Sequence, residues 1–197
     1  MSRLRPLVDG RPAQPRYRAA QMRVITAALE LFATHGVSGT SLQMIADAMG
    51  VTKAAVYYQF KTKEEIVLAV AELELTGLEA AIEAAEAEGR SVRAREVLLE
   101  RVIDLAVERR RIVGLMQSDP VMARFMVDHE PFRMVIDRLF TVLLGEDPGP
   151  EAWVQAVMLS GAIGGAVAHP RVAHLDDDTL RSHLLRLARR LLDLPPD

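Results

Sequence analysis

Lys53, Lys61 and Lys63 are the only lysines in the 197-residue chain, and they fall within eleven residues that also hold Tyr57, Tyr58, Gln59 and Phe60. Ammonium groups beside phenolic hydroxyls and a carboxamide can neutralise phosphates and donate hydrogen bonds to base edges. Such chemistry needs a short, rigid element to present it. Upstream runs Thr40-Ser41-Leu42-Gln43-Met44-Ile45-Ala46-Asp47-Ala48-Met49-Gly50-Val51-Thr52. Leu42, Ile45, Ala46 and Met49 recur at helical spacing, Thr40 or Ser41 offers a hydroxyl cap, and Gly50 ends the run. Thr52 can cap a following helix with Val56 and Phe60 turned inward. Two short helices joined by a glycine turn form a helix-turn-helix, whose second helix enters a DNA major groove. Thr52, Lys53, Ala54 and Ala55 then lie at the bases, with Lys53 donating to guanine and the alanine methyls meeting thymine methyls. Tyr57 and Tyr58 turn their hydroxyls toward phosphates, Gln59 reaches a base or a phosphate, and Lys63 shares a phosphate with the amides that open the next helix.

Charge is divided along the chain. Residues 1–63 hold nine Lys/Arg against three Asp/Glu, and residues 64–197 hold fifteen against twenty-four, so a +6 front precedes a −9 body. One end is suited to a polyanion and the other is repelled by it. The absence of cysteine excludes disulfides and thiolate metal sites, and His169, His174 and His183 have no recognised ligand spacing, so no metal and no cofactor is expected. The basic start lacks the apolar stretch of a secretory signal, and no apolar run reaches the roughly 18–20 residues that span a bilayer. A cytoplasmic protein without a membrane partner is the expectation.

The rest reads as all-α: a three-helix head followed by a helical bundle. Residues 1–15, with Pro6, Gly10, Pro12, Pro15, Arg3, Arg5 and Arg11, read as a flexible basic arm; 16–63 as the DNA-binding head; 64–197 as a body for ligand binding and dimerisation. Met22, Ile25, Leu29 and Phe32 mark a first helix that stops near Gly36. A fourth helix starts near Thr62 and runs to about Glu88, and a fifth spans Val92 to Arg111. Pro120 and Pro131 punctuate shorter helices, Gly145 to Pro150 forms a turn, and further helices cover Glu151 to Ala168 and the stretch after Asp176–Asp178.

The stretch Thr40 to Lys63 resembles the DNA-binding motif of the TetR family of transcriptional regulators. It matches at Thr40, Ile45, Ala46, Gly50, Val51, Val56, Tyr57, Phe60 and Lys63; Thr52 stands for serine, and Gln59 for the usual tyrosine or histidine. The resemblance implies phosphate contacts at Tyr57, Lys63 and Thr40, base contacts at Lys53, Ala54 and Ala55, and a base or phosphate contact at Gln43. It also implies a homodimer joined by a four-helix interface of the last two long helices. Gly161, Gly164 and Ala168, with Val157, Leu180, Leu184, Leu187 and Leu191, are the expected interface residues. Methionines and aromatics between Leu115 and Met158 can line an adaptable apolar pocket: Met116, Met122, Phe125, Met126, Phe132, Trp153 and Met158, with His129 as polar handle. The expected function is a ligand-responsive DNA-binding regulator, a repressor released from double-stranded operator DNA by a small-molecule effector. The alternative is an all-α small-molecule-binding protein or enzyme whose head is structural, although no nucleophile–base pair or phosphate loop is evident.

Overall fold

The computed structural model describes residues 7, 8, 11, 12 and 17–194, the first four and Ala123 and Met126 by backbone alone. Two two-residue strands, β1 (Leu7–Val8) and β2 (Arg11–Pro12), pair antiparallel within the stretch read as an arm; Arg3, Arg5, Pro6, Gly10 and Pro15 lie outside the described residues. All other regular structure among the described residues is helical. The head comprises α1 (Ala19–Gly39), α2 (Leu42–Met49) and α3 (Lys53–Gln59). The body comprises α4 (Lys63–Glu86), α5 (Val92–Glu108), α6 (Arg110–Ser118), α7 (Pro120–Asp128), α8 (Glu130–Leu144), α9 (Pro150–Ala168) and α10 (Asp177–Leu191).

Helix starts follow side-chain chemistry. Ser41, Thr52, Thr62 and Ser91 each accept a hydrogen bond from the backbone N–H three residues on, opening α2, α3, α4 and α5. Asp176 does the same for α10, and the Thr179 amide and hydroxyl it binds hold its carboxyl below the ordinary range. Pro120 and Pro131 sit in the first turns of α7 and α8, where no N–H is required of them. The fifth helix ends sooner than its periodicity implies: Arg109 (φ −115°, ψ 27°) breaks it, and α6 begins at once.

The α1 helix is kinked where sequence reading places its stop. Gly36 has φ 71° and ψ 165°, a region essentially reserved for glycine. The kink frees the Val37 N–H, which donates to Asp119 Oδ2 at 2.8 Å. Asp119 is buried, and its other oxygen accepts from Val121 N (2.8 Å) and Met122 N (3.4 Å), capping α7. One carboxylate thus starts a body helix and holds a head helix.

The cores agree with this joint. Ile25, Phe32, Ile45 and Val56 of the head are buried in the same cluster as Ile66 and Val70 of α4 and Leu115 and Met122 of α6 and α7. Each such fully buried side chain contributes roughly 1.5–3 kcal/mol. A second cluster joins α5, α9 and α10, and a third joins α4, α5, α8 and α9. The expectation that no run is long and apolar enough to span a bilayer fails for α9, which by length and composition qualifies, alone among the described helices. One of its sides packs in the bundle.

Asp119→Ala removes a cap and leaves the Val37 N–H buried without a partner, so urea unfolding should read a loss of about 2–4 kcal/mol. Gly36→Ala should cost about 1–3 kcal/mol, because alanine is strained at that backbone conformation. A Cβ at 36 would also stand 3.1 Å from Asp119 Oδ2, so the double variant should lose less than the sum.

Candidate nucleic-acid interface

The presenting element is α3, seven residues long and fixed at both ends. Thr52 Oγ1 caps it through Ala55 N (3.2 Å), and Gly50, left-handed at φ 65°, turns the chain out of α2. Val56 and Phe60 are buried and anchor its inner side, with the Phe60 ring 6.4 Å from that of Tyr17. The outer side is then fixed by helical geometry: Lys53, Ala54, Ala55, Tyr57 and Tyr58 are exposed and Gln59 is half-buried. Tyr57 is 51% exposed and Tyr58 78%, although both carry large apolar rings. Lys53, Ala54, Tyr57, Tyr58 and Lys61 line one shallow depression. Lys61, to which sequence reading assigned no role, holds its ammonium 4.9 Å from the Tyr57 ring centroid and 5.7 Å from that of Tyr58. The only signal for it was its place in the lysine cluster; its position over two rings depends on the extended backbone of Phe60.

Two residues expected on this surface lie elsewhere. Thr40 is 2% exposed, and its hydroxyl donates to Gly36 O at 2.8 Å, so its side chain closes the α1 kink instead of reaching a phosphate. Lys63 is half-buried and donates from Nζ to Val37 O (2.8 Å) and Thr40 O (3.1 Å), two carbonyls at the end of α1. Its charge is drawn there by the negative end of that helix. Among the amides opening α4, that of Glu65 is already bonded to Thr62. Gln43 is exposed on α2, its amide nitrogen 2.7 Å from Asp47 Oδ1.

The body residues also sort differently from their sequence pattern. A cavity of about 410 Å³ lies among α4, α5, α6, α8 and α9, and Met116 and Phe132 line it as expected. Met122 is fully buried against the head, and Phe125 packs on that same cluster with His129 stacked 4.7 Å from its ring. Trp153 and Met158 are exposed, and Met126 lies outside the residues whose side chains are described. The methionine run misled because the walls are mainly leucine, valine and isoleucine spread over all five helices, and Leu75, Leu78, Leu98, Leu99, Val102 and Leu105 of α4 and α5 lie upstream of the window.

Of the residues expected between subunits, Leu180 and Leu184 are buried and Leu191 packs with them against α5 and α9 within the chain. Gly164 is buried too, and its missing Cβ admits the side-chain amide of Gln117 from α6, which would otherwise be 1.7 Å away. Val157, Gly161, Ala168 and Leu187 do face outward. Val157, Gly161 and Ala168, with Val154 and Met158, leave an apolar outer stripe on α9, 57–59% exposed at Val154, Val157 and Met158.

Residues 24–70 match the family described as "Bacterial regulatory proteins, tetR family". The HTH-type transcriptional regulator SrpR of Pseudomonas putida is 48% identical over 50 residues, which cover 25% of this chain and 24% of that protein. The probable acrEF/envCD operon repressor of Escherichia coli (strain K12) is 44% identical over 46 residues, 23% of this chain and 21% of that one. The match therefore spans about a quarter of the curated relatives and coincides with the head. A solved regulatory protein of the tetR family from Rhodococcus RHA1 superposes with a TM-score of 0.72 at 20% identity, covering 91% of this chain and all of that one, and shows that the fold extends through the body. These relatives are regulators and not enzymes.

Lys63→Met should lower the thermal midpoint, by a change of about 1–2 kcal/mol in stability, because two carbonyls at the end of α1 lose their donor. Lys53→Ala, at an exposed position, should stay within about 0.5 kcal/mol. Circular-dichroism melts of the two variants separate a structural lysine from a surface one.

Proposed function

We propose that this chain, a member of the TetR family of bacterial transcriptional regulators, acts as a homodimeric repressor that a small molecule releases from its operator. The observation that carries the reading is the outer face of α3, where Lys53, two exposed tyrosines and, just past the end of the helix, Lys61 surround two alanines with no acidic side chain on that helix. Alanines let the helix sit deep in a major groove while Lys53 reaches a base edge. Tyr57, Tyr58 and Lys61 flank them at phosphate height, and Lys61 takes the uniform backbone role that the sequence gave to Lys63.

A head this small grips weakly alone, and two heads about 34 Å apart would read two half-sites. The outer stripe of α9, with Leu187 of α10 at its margin, supports pairing of two copies. An apolar row of this kind on a helix otherwise packed in a bundle is covered most simply by its own symmetry mate.

The cavity supports the release step. Both connections from body to head line it: α4 contributes Glu74, Leu75 and Leu78, and α6 contributes Ile112, Val113, Met116 and Gln117 before ending at Asp119. A ligand that prefers one placement of these helices shifts the population toward it. Movement of α6 carries Asp119, and with it the Val37 amide and the kink of α1. The two heads then leave half-site spacing. An operator-bound protein of this kind works beside the chromosome, in the cytoplasm.

The purified protein should retard DNA from upstream of its own gene. Lys53→Ala should weaken that complex about tenfold or more, and Lys61→Ala should reduce the slope of log affinity against log salt by about one. Absence of retardation at low salt would sink the reading. In sedimentation, Val157→Asp should turn a dimer into a monomer and abolish tight retardation; a wild-type monomer would refute the pairing.

A further inference from the structure

The cavity has a direction. Its lining follows α5 from Leu98 to Arg109, about 16 Å at 1.5 Å per residue. Only Glu74, Arg109, Gln117 and Ser160 among its lining residues are polar. Arg109 and Glu74 pair at 2.7 Å at the end where α5 breaks, their side chains 34% and 13% exposed. Gln117 lies on α6 two turns beyond that break, over Gly164, and Ser160 is one turn before Gly164 on α9. The opposite end, at Leu98, Phe140, Leu143 and Ala156, is wholly apolar.

Resting on the reading of the chain as an effector-controlled regulator, we propose that its effector is an elongated amphiphile with one anionic head group, the head on Arg109 and the tail toward Leu98 and Leu143. The sign follows from what each charge still has to give. The Arg109 guanidinium carries five N–H groups in a planar fork, and one nitrogen faces Glu74. A second carboxylate can take the other edge without displacing the first. The Gln117 amide and the Ser160 hydroxyl, the neutral donors of the lining, lie farther along the cavity, Gln117 two turns of α6 from Arg109. A cationic head would instead have to share the deeper carboxylate with Arg109, bringing like charges together beside an apolar wall.

The backbone makes room for this arrangement. Gly77, inside α4, lies beneath the guanidinium: a Cβ there would be 3.1 Å from Leu105 Cδ2 and 3.5 Å from Arg109 Nη1. Glycine at such a position costs a helix on the order of 1 kcal/mol, and here it lets the charged pair lie flat on α4. The volume of about 410 Å³ suits a small organic ligand. An anion at Arg109 touches both routes to the head at once, because Arg109 opens α6 and its partner Glu74 belongs to α4.

Trp153 supplies a readout free of DNA. It is the only tryptophan, and its ring meets the lining residue Phe140 edge-on at 5.4 Å. Sodium decanoate, decylammonium chloride and decan-1-ol, each below its aggregation threshold, would be titrated into the full-length protein with Trp153 fluorescence and thermal shift recorded. Decanoate should bind most tightly. Arg109→Gln should weaken it about tenfold or more, Arg109→Lys less, and the paired variant Glu74→Gln/Arg109→Gln guards against misfolding from an unpaired carboxylate. Decanol should bind all folded variants within about twofold, since it makes no charged contact. Tighter binding of decylammonium, equal binding of decanoate by the paired variant, or no binding of any probe would overturn the proposal. Decanoate that binds through Arg109 yet leaves a retarded DNA complex intact would leave the site standing and refute the effector reading, whereas failure to retard DNA at all would refute the regulator.

Discussion

The carboxylate of Asp119 is held between two helices that belong to different parts of the molecule. It starts α7 with one oxygen and receives the Val37 amide with the other. Neither part can be repositioned without breaking a buried, charge-assisted hydrogen bond, so head and body move as coupled units. The kink at Gly36 exists in the form that this bond requires, and Thr40 and Lys63 then satisfy the carbonyls that the kink leaves open. Gly36, Val37, Thr40, Lys63 and Asp119 thus form one joint, with α3 on one side and the cavity on the other.

The arrangement divides labour among groups of the same chemical type. Of the three lysines, Lys53 at the start of α3 and Lys61 just past its end remain at the outer surface while Lys63 secures the head from within. Of the body's acids, Glu74 faces the cavity and Asp119 the joint, whereas Glu86 holds Arg138 on the surface and, chiefly by hydrogen bonding, raises that guanidinium above its ordinary range. Sequence type predicts what a side chain can do; burial and the nearest backbone groups decide which of those things it does.

That distinction explains what could be read in advance. The head was legible because its signals are local: hydroxyl caps three residues from the amides they accept, a glycine that must turn left-handed, and an apolar spacing that leaves Val56 and Phe60 inside. The helical plan of the body was legible for the same reason, apart from the break at Arg109, which no proline or glycine announces. The roles of Thr40, Lys63 and Asp119 were not, because each depends on partners brought together only by folding, 82 residues apart in the case of Val37 and Asp119. Part of the cavity lining and the leucines of α10 were misassigned for a related reason. Periodicity says that a helix has an apolar side, but Met122, Met158, Leu180 and Leu187 differ in what the neighbouring helix covers.

On the head side, the Asp119 bond is made to a main-chain N–H, a group that nineteen of the twenty coded residues supply identically. This contact therefore places no demand on the side chain at 37 beyond barring proline, and the preference for an apolar residue there comes from the core in which Val37 is buried. Related chains aligned by residue identity would register the acid and the glycine and overlook the third participant, whose contribution is written in the polypeptide itself.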